Sequence, residues 1–246
     1  RLTDTLTVHS AETDERLASI AVASGPSGIA IAPDDRRAFV ANENSANVAV
    51  VDLETNSVVA TVSAGTTPSE VAVLPSGSHV FVTNRGSGDV TVIDTASLYV
   101  VKTIAVGMQP SGIVAAEDGS ALFVALVGDD AVAEIDPESF EVRRRIAVGD
   151  EPRDLIVSAD GELLYVTNSF SESVSVVRLA SGVVEAEIDI GFQPRRIERT
   201  PDGDRAYITG FRPNSVGVFD LETREVVRVL GIGDSPNDVA VGFVRR

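Results

Sequence analysis

The fold is decided by four short apolar runs within residues 65–107, which read GTTPSEVAVLPSGSHVFVTNRGSGDVTVIDTASLYVVKTIAVG. The runs cover residues 71–74, 80–84, 90–94 and 100–106. They are rich in β-branched and aromatic residues, and Gly, Pro, Asn, Asp and Ser separate them, which is typical of short strands joined by tight turns. The stretch therefore predicts a small sheet of four antiparallel strands.

The same stretch recurs through the whole chain. Prolines stand 42 residues apart at Pro26, Pro68, Pro110, Pro152, Pro194 and Pro236. A glycine stands three places before each of them except the first, where Ala23 stands. Fixed spacing of this kind predicts a repeat architecture, and four antiparallel strands in each repeat predict one blade of a β-propeller. We expect residues 1–246 to form a single all-β domain, a six-bladed β-propeller.

The two ends of the chain are predicted to supply the last blade. The chain is six residues shorter than six full repeats, and the absent positions correspond to one strand. Residues 239–241 are predicted as the innermost strand of the last blade, and residues 6–8 and 17–20 as its outer strands. Closure by both termini would protect sheet edges that an open arc exposes. Either the last blade lacks one strand or the sequence is trimmed.

The second run of each repeat carries a resemblance to a known family. It reads FVTN at residues 81–84 and YVTN at residues 165–168, with variants in other copies. Together with the Gly-x-x-Pro loops and the turn at residues 201–203, these motifs resemble the YVTN-type β-propeller repeat family over the whole chain. The resemblance implies a secreted, periplasmic or cell-surface protein of bacteria or archaea. It implies no particular activity.

Composition excludes several classes of partner. The chain has 37 acidic and 20 basic residues and a net charge of −17, a field that repels nucleic acids and anionic membranes. It has no cysteine and no apolar run long enough to cross a bilayer. We therefore expect no nucleic acid binding and no membrane insertion. A monomeric domain is expected, on its own or within a larger polypeptide.

No residue pattern points to a cofactor or a metal, and the recurrent side chains are predicted to be structural. His9 and His79 stand at different repeat positions without ligand-spaced partners. The recurrent acids Asp52, Asp94, Asp136 and Asp220 each end a strand, with Thr or Ser three residues later, which is typical of side chains that satisfy turn backbone. The recurrent aromatics are predicted to pack between blades: Phe39, Phe81, Phe123, Tyr165 and Tyr207. Glu134, which replaces a recurrent valine, is interpreted as a solvated edge residue.

Departures from the repeat are the candidate functional positions, because a symmetric scaffold keeps equivalent positions alike unless something local intervenes. In the fifth copy Glu198 and Arg199 replace apolar residues, so their charges must pair across blades or reach the central channel. Three acids occupy the second position after the repeat proline and are further channel candidates: Glu70, Asp154 and Asp238.

The loops of the fourth and fifth copies bring aromatic and cationic residues to one face. These candidate ligand or partner contacts are Phe170, Phe192, Phe211, Arg153, Arg195, Arg196 and Arg212. Phe192 and Phe211 are predicted as exposed apolar anchors, and the arginines as groups that orient a small anionic ligand or a protein partner. The leading hypothesis is a non-catalytic binding or scaffold propeller. The alternative is a propeller lyase or hydrolase that uses the channel-mouth carboxylates Glu70, Asp154 and Asp238.

Overall fold

A computed structural model of the chain describes residues 4–210, 214–232 and 240. Within these ranges the protein is all-β, apart from one 3₁₀ turn at Glu43–Ser45. The strands are β1 (Thr5–His9), β2 (Arg16–Ala21), β3 (Pro26–Ile31), β4 (Arg37–Asn42), β5 (Asn47–Asp52), β6 (Ser57–Ser63), β7 (Pro68–Val73), β8 (His79–Asn84), β9 (Asp89–Asp94), β10 (Val100–Ala105), β11 (Pro110–Ala115), β12 (Leu122–Leu126), β13 (Ala131–Asp136), β14 (Glu141–Ala147), β15 (Pro152–Val157), β16 (Leu163–Asn168), β17 (Ser173–Arg178), β18 (Val183–Asp189), β19 (Pro194–Arg199), β20 (Arg205–Gly210), β21 (Ser215–Asp220) and β22 (Glu225–Gly231). Within the described ranges there is no helix with the length and apolar character that a bilayer crossing requires.

The strands form consecutive antiparallel blades. Five four-stranded sheets comprise β3–β6, β7–β10, β11–β14, β15–β18 and β19–β22, each ordered as in the sequence. The first strands of neighbouring blades contact one another, β3 with β7, β7 with β11, β11 with β15 and β15 with β19, as the inner strands of a propeller do. The predicted propeller of four-stranded blades is confirmed. The strands β1 and β2 form a separate two-stranded sheet, and positions 239 and 241 of the predicted innermost strand lie outside the described residues.

The hydrophobic core lies between the blades. Phe39, Phe81, Phe123 and Tyr165 are at most 2% exposed and occupy the same position in four successive signature strands, as predicted. The fifth equivalent, Tyr207, is only partly buried. The four buried rings therefore give their blades similar apolar packing at the same position of the sheet.

In three blades, a backbone carbonyl of the outer turn links the blade to the one before it. The Thr95 carbonyl accepts a hydrogen bond of 2.9 Å from Arg37, and the Leu221 carbonyl accepts one of 2.9 Å from the Tyr165 hydroxyl. The Leu179 carbonyl, at the same repeat position, accepts one from Arg144. In these three blades the acceptor is thus a carbonyl at the same repeat position, whereas the donor side chain differs.

The recurrent strand-end acids satisfy turn backbone, as predicted. The Asp52 carboxylate accepts hydrogen bonds from the Thr55 amide at 2.7 Å and the Thr55 hydroxyl at 2.8 Å, and Ser97 binds Asp94 in the same way. Hydrogen bonds from the Ser139 and Glu138 amides, with Arg143, lower the pKa of Asp136 to about 2. These carboxylates are structural groups of the turns.

The interpretation of Glu134 as a solvated edge residue is wrong. Glu134 is 7% exposed, and its carboxylate lies 2.5 Å from Arg144 Nε and 3.6 Å from Arg143 Nη1. Two arginines on the neighbouring strand β14 compensate the buried charge, which would otherwise be costly. Because Arg144 also binds the next blade, the pair helps to join two blades.

Candidate functional site

Two sets of loops interlock at one face of the propeller, which we call the loop face. The Arg85 amide donates to the Thr67 carbonyl at 2.9 Å, and the Gly86 amide donates to the Thr66 carbonyl at 2.9 Å. Arg85 and Gly86 belong to the loop that follows the signature strand. Thr66 and Thr67 belong to the loop of the Gly-x-x-Pro motif, which begins each blade. The glycine of that motif is needed for close approach, since a Cβ on Gly65 would lie 2.7 Å from Asn84 Cγ.

In three blades the threonine of the signature strand holds the start of the inner strand. A register shift follows the repeat proline in the inner strands β7, β15 and β19. Just after the proline, threonine hydroxyls accept backbone amides, that of Glu70 on Thr83 at 3.0 Å, that of Asp154 on Thr167 at 3.1 Å and that of Arg196 on Thr209 at 3.1 Å. The three charged residues Glu70, Asp154 and Arg196 are therefore held at equivalent positions of their blades.

An ion-pair cluster crosses the channel. Arg196 forms a salt bridge with Glu70, three repeats away, and its Nη1 lies 3.8 Å from Asp154 Oδ1. Asp154 also accepts the Ile197 amide at 3.1 Å. The alternative hypothesis assigns Glu70 and Asp154 to acid–base chemistry, but both carboxylates contact a guanidinium here. Asp238, the third acid of that hypothesis, lies outside the described residues.

Above this cluster lies a cavity of about 430 Å³ that we call the basin. It is lined by Pro26, Ser27, Glu43, Arg85, Ser111, Arg153, Arg195 and Arg196. Arg153, Arg195 and Arg196 were expected at a ligand site, whereas Arg85 was missed by the sequence analysis. Its position in the repeat could have identified it. Arg85 stands directly after the signature strand, where other copies carry Glu43, Val127 or Ser169.

The basin concentrates positive charge in an acidic protein. Burial, followed by the charges of Arg153, Arg196 and Arg85, lowers the pKa of Arg195 below its ordinary value. Glu151 pairs with Arg153 at 2.7 Å on the rim, and among the residues that the structure describes Glu43 is the one acid that lines the basin. Arg85 forms no ion pair with any residue in the described ranges. The arrangement favours an anionic group, which would relieve the repulsion among the arginines.

The prediction that Phe192 is an exposed anchor is wrong. Phe192 is 3% exposed and packs in the core between the fourth and fifth blades. Its ring fills the space over two glycines of the fifth blade, since a Cβ on Gly210 or Gly217 would lie 2.6 or 2.7 Å from the ring. Other blades carry larger residues at those two positions, such as Asn168 and Ser175. The ring replaces these side chains.

Of the other predicted loop contacts, the structure describes only one. Phe170 is 70% exposed and lies beside Arg153 and Arg195 in a smaller cavity. Phe211 and Arg212 lie outside the described residues.

The charges of β19 reach both ends of the channel. Arg199, at the end of β19, forms a salt bridge with Glu117 of the third blade. Glu198 is partly buried and lies opposite Tyr207 in the sheet. With Arg195 and Arg196, this one strand supplies arginines to the basin, to the channel and to the far face.

Metal ligands were not expected from the sequence. Within the described ranges, no group of three or more His, Asp or Glu side chains is placed to hold a metal ion.

Comparison with known families supports the fold class. Residues 3–120 match the family described as YNCE-like β-propeller, and residues 100–187 match the family described as lactonase, 7-bladed β-propeller. Each match covers less than half of the chain. They place the chain among β-propellers without singling out the YVTN repeat family. No curated protein sequence matches.

Solved structures share this fold at low sequence identity. Kuenenia stuttgartiensis hydrazine synthase has a TM-score of 0.82 at 24% identity, over 89% of this chain and 71% of that chain. The dihydro-heme d1 dehydrogenase NirN in complex with DHE has a TM-score of 0.77 at 22% identity, over 94% of this chain, which spans about half (52%) of NirN. A functionally unknown protein from Desulfotomaculum acetoxidans DSM 771 has a TM-score of 0.79 at 18% identity, over 96% of this chain and 84% of that chain. These likenesses concern the fold alone.

Proposed function

We propose that this chain is a non-catalytic binding propeller that takes the anionic group of a small ligand or protein partner in its loop-face basin. The observation that carries the proposal is the convergence of Arg85, Arg153, Arg195 and Arg196, from three blades, on one cavity. In a protein of net charge −17, such a local positive site selects anions against the surrounding field. Arginine suits oxyanions because its planar fork pairs with two oxygens at once.

We propose further that the propeller has six blades and that the C-terminal segment completes the last one. Val71, Leu155 and Ile197 are at most 7% exposed because each packs against the preceding blade. Ile29, at the same position of the blade that begins with β3, is 46% exposed. Among the described residues, the preceding blade consists of β1 and β2 only, which leaves room for an apolar strand beside Ile29. The sequence Val-Ala-Val at residues 239–241 is the same as that of the inner strand at residues 71–73.

We also propose that the 246 residues form one domain of the YVTN type that works outside the cytoplasm. The support is the resemblance of its repeats to secreted, periplasmic and surface proteins.

Isothermal titration calorimetry tests the anion site with three probes, sulfate, phosphate and acetate, in a buffer of low ionic strength. We expect at least one of them to bind. Arg195→Ala and Arg85→Ala should each weaken this binding by about 10-fold or more, since a hydrogen bond to a charged group contributes about 1.5–3 kcal/mol. Arg16→Ala is the matched control, because Arg16 is exposed on β2 and the charge change is identical. Absence of binding by all three anions, or an equal loss in Arg16→Ala, would overturn the proposal.

A further inference from the structure

A second, smaller cavity opens beside the basin. It has a volume of about 230 Å³ and is lined by Glu151, Arg153, Ser169, Phe170, Gln193 and Arg195. Arg153 and Arg195 line both cavities, so these two side chains form the wall between them. We call the smaller cavity the side pocket. A ligand held by the two shared arginines can therefore extend from the basin into the side pocket.

The side pocket arises from departures from the repeat. Phe170 stands where the second and third blades have Gly86 and Gly128. Core packing does not explain this change, because Phe170 is 70% exposed. Arg153 and Arg195 likewise stand where the first three blades have serine. All three departures fall in the neighbouring fourth and fifth blades, at one place on the loop face.

The loop that carries Phe170 is held in position. The Ser169 amide donates to the Glu151 carbonyl at 2.9 Å, and the Phe170 amide donates to the Asp150 carbonyl at 3.2 Å. The Ser171 hydroxyl accepts the Asp150 amide at 2.8 Å. An aromatic ring on a fixed backbone loses little conformational entropy when a ligand covers it, which favours its use as a binding surface.

We propose, building on the proposed function, that the ligand is a small anion carrying a planar unsaturated ring, with its anionic group in the basin and its ring against Phe170. The two compartments have different polarity. In the described part of the chain, the charged residues that line the basin are four arginines and one glutamate, whereas the side pocket combines two arginines with Glu151, an aromatic ring and the neutral side chains of Ser169 and Gln193. The Glu151 carboxylate disfavours a second anionic group in the side pocket, so the charge is confined to one end of the ligand.

The shared arginines can bind the part of such a ligand where the ring joins the anionic group. A guanidinium can pair with an oxyanion at its edge and stack on a π-system with its face. Phe170 adds offset or edge-to-face contacts that an aliphatic group does not make equally well. The geometry thus selects a ring attached close to its anionic group over either part alone.

Two sulfonates with the same anionic group test this inference by calorimetry. Naphthalene-2-sulfonate carries a planar ring and methanesulfonate carries none. We expect the protein to bind naphthalene-2-sulfonate at least about 10-fold more tightly, because ring burial and an aromatic contact together contribute more than about 1.4 kcal/mol. Phe170→Ala should abolish most of this preference and leave methanesulfonate binding unchanged. Arg195→Ala should weaken both ligands.

Tyr99→Ala is the matched control, since Tyr99 is an aromatic residue of similar exposure (74%) outside both cavities. Equal affinity for the two sulfonates, or equal loss of naphthalene-2-sulfonate binding in Phe170→Ala and Tyr99→Ala, would overturn the inference and leave the anion site standing. Failure of both sulfonates to bind the unmodified protein would overturn the inference, and with it the proposed function if sulfate, phosphate and acetate also fail.

Discussion

Replacing Phe192 by alanine separates a core role from a ligand-anchoring role. Phe192 is 3% exposed and packs over Gly210 and Gly217, so the substitution removes a buried ring and opens a cavity. Burial of an aromatic side chain removes about 200 Å² from water, which at about 25 cal/mol per Å² amounts to about 5 kcal/mol. Measured losses for such substitutions are about 3–5 kcal/mol, so for a protein of this size we expect the melting temperature to fall by roughly 6–20 °C.

The two glycines allow a sharper version of this experiment. A Cβ on Gly217 would lie 2.7 Å from the Phe192 ring, so Gly217→Ala alone should destabilise the protein by about 1–3 kcal/mol through overpacking. With Phe192→Ala the new methyl group has room, so the double variant should lose clearly less than the sum of the two single losses. Circular dichroism melts of the four proteins provide the cycle.

The control for the cycle is Phe170→Ala, which removes an exposed ring from the same face and should change stability by less than about 0.5 kcal/mol. A Phe192→Ala variant as stable as Phe170→Ala would refute the buried role of Phe192. Strict additivity of the Phe192 and Gly217 substitutions would refute the packing between them.

Three further predictions follow from contacts elsewhere in the propeller. Arg196→Ala should lower the free energy of unfolding by about 1–3 kcal/mol at neutral pH, because it leaves the partly buried Glu70 and Asp154 without their shared guanidinium. In the same denaturant titration, Arg16→Ala should leave the free energy of unfolding almost unchanged. Tyr165→Phe should lower the free energy of unfolding by about 1–3 kcal/mol in the same assay, since the Leu221 carbonyl loses its buried donor. Tyr99→Phe is the exposed control, and an equal loss of stability in both variants would contradict the inter-blade hydrogen bond. Because hydrogen bonds hold the pKa of Asp136 at about 2, below its ordinary value of 3.8, its contribution to stability is present above about pH 4 and is lost as the pH falls towards 2. Asp136→Asn should flatten this part of the melting-temperature profile, and an unchanged profile would contradict the assignment.

The fold could be predicted from the sequence because the repeat is regular. Proline spacing and the four apolar runs predicted the blades, and the boundaries differ mainly at the inner strands, where β7 begins at Pro68 instead of residue 71. The difference arises because Pro68 already pairs with Asn84 before the register shift that follows it. A local pattern of apolar residues does not show such a pairing.

The candidate site was predictable only in part. Arg153, Arg195 and Arg196 were recognised because they break the repeat, and the structure brings all three to one cavity. Arg85 belongs to another blade, and its approach to the same cavity depends on how the blades are arranged around the axis. The burial of Phe192 depends on the absence of side chains at Gly210 and Gly217, which are 18 and 25 residues away in sequence. Coupled changes of this kind across a blade give no local signal.

The most direct test of the anion site is a sulfate titration followed by the side-chain Nε–Hε resonances of arginine in the ¹⁵N-labelled protein. We expect saturable shifts at Arg85, Arg153, Arg195 and Arg196, which line the basin. The resonances of Arg143 and Arg178, which bind acidic partners on the opposite face, should not shift. Small, non-saturating shifts spread equally over all six arginines would contradict the central claim that these loops form an anion-binding site.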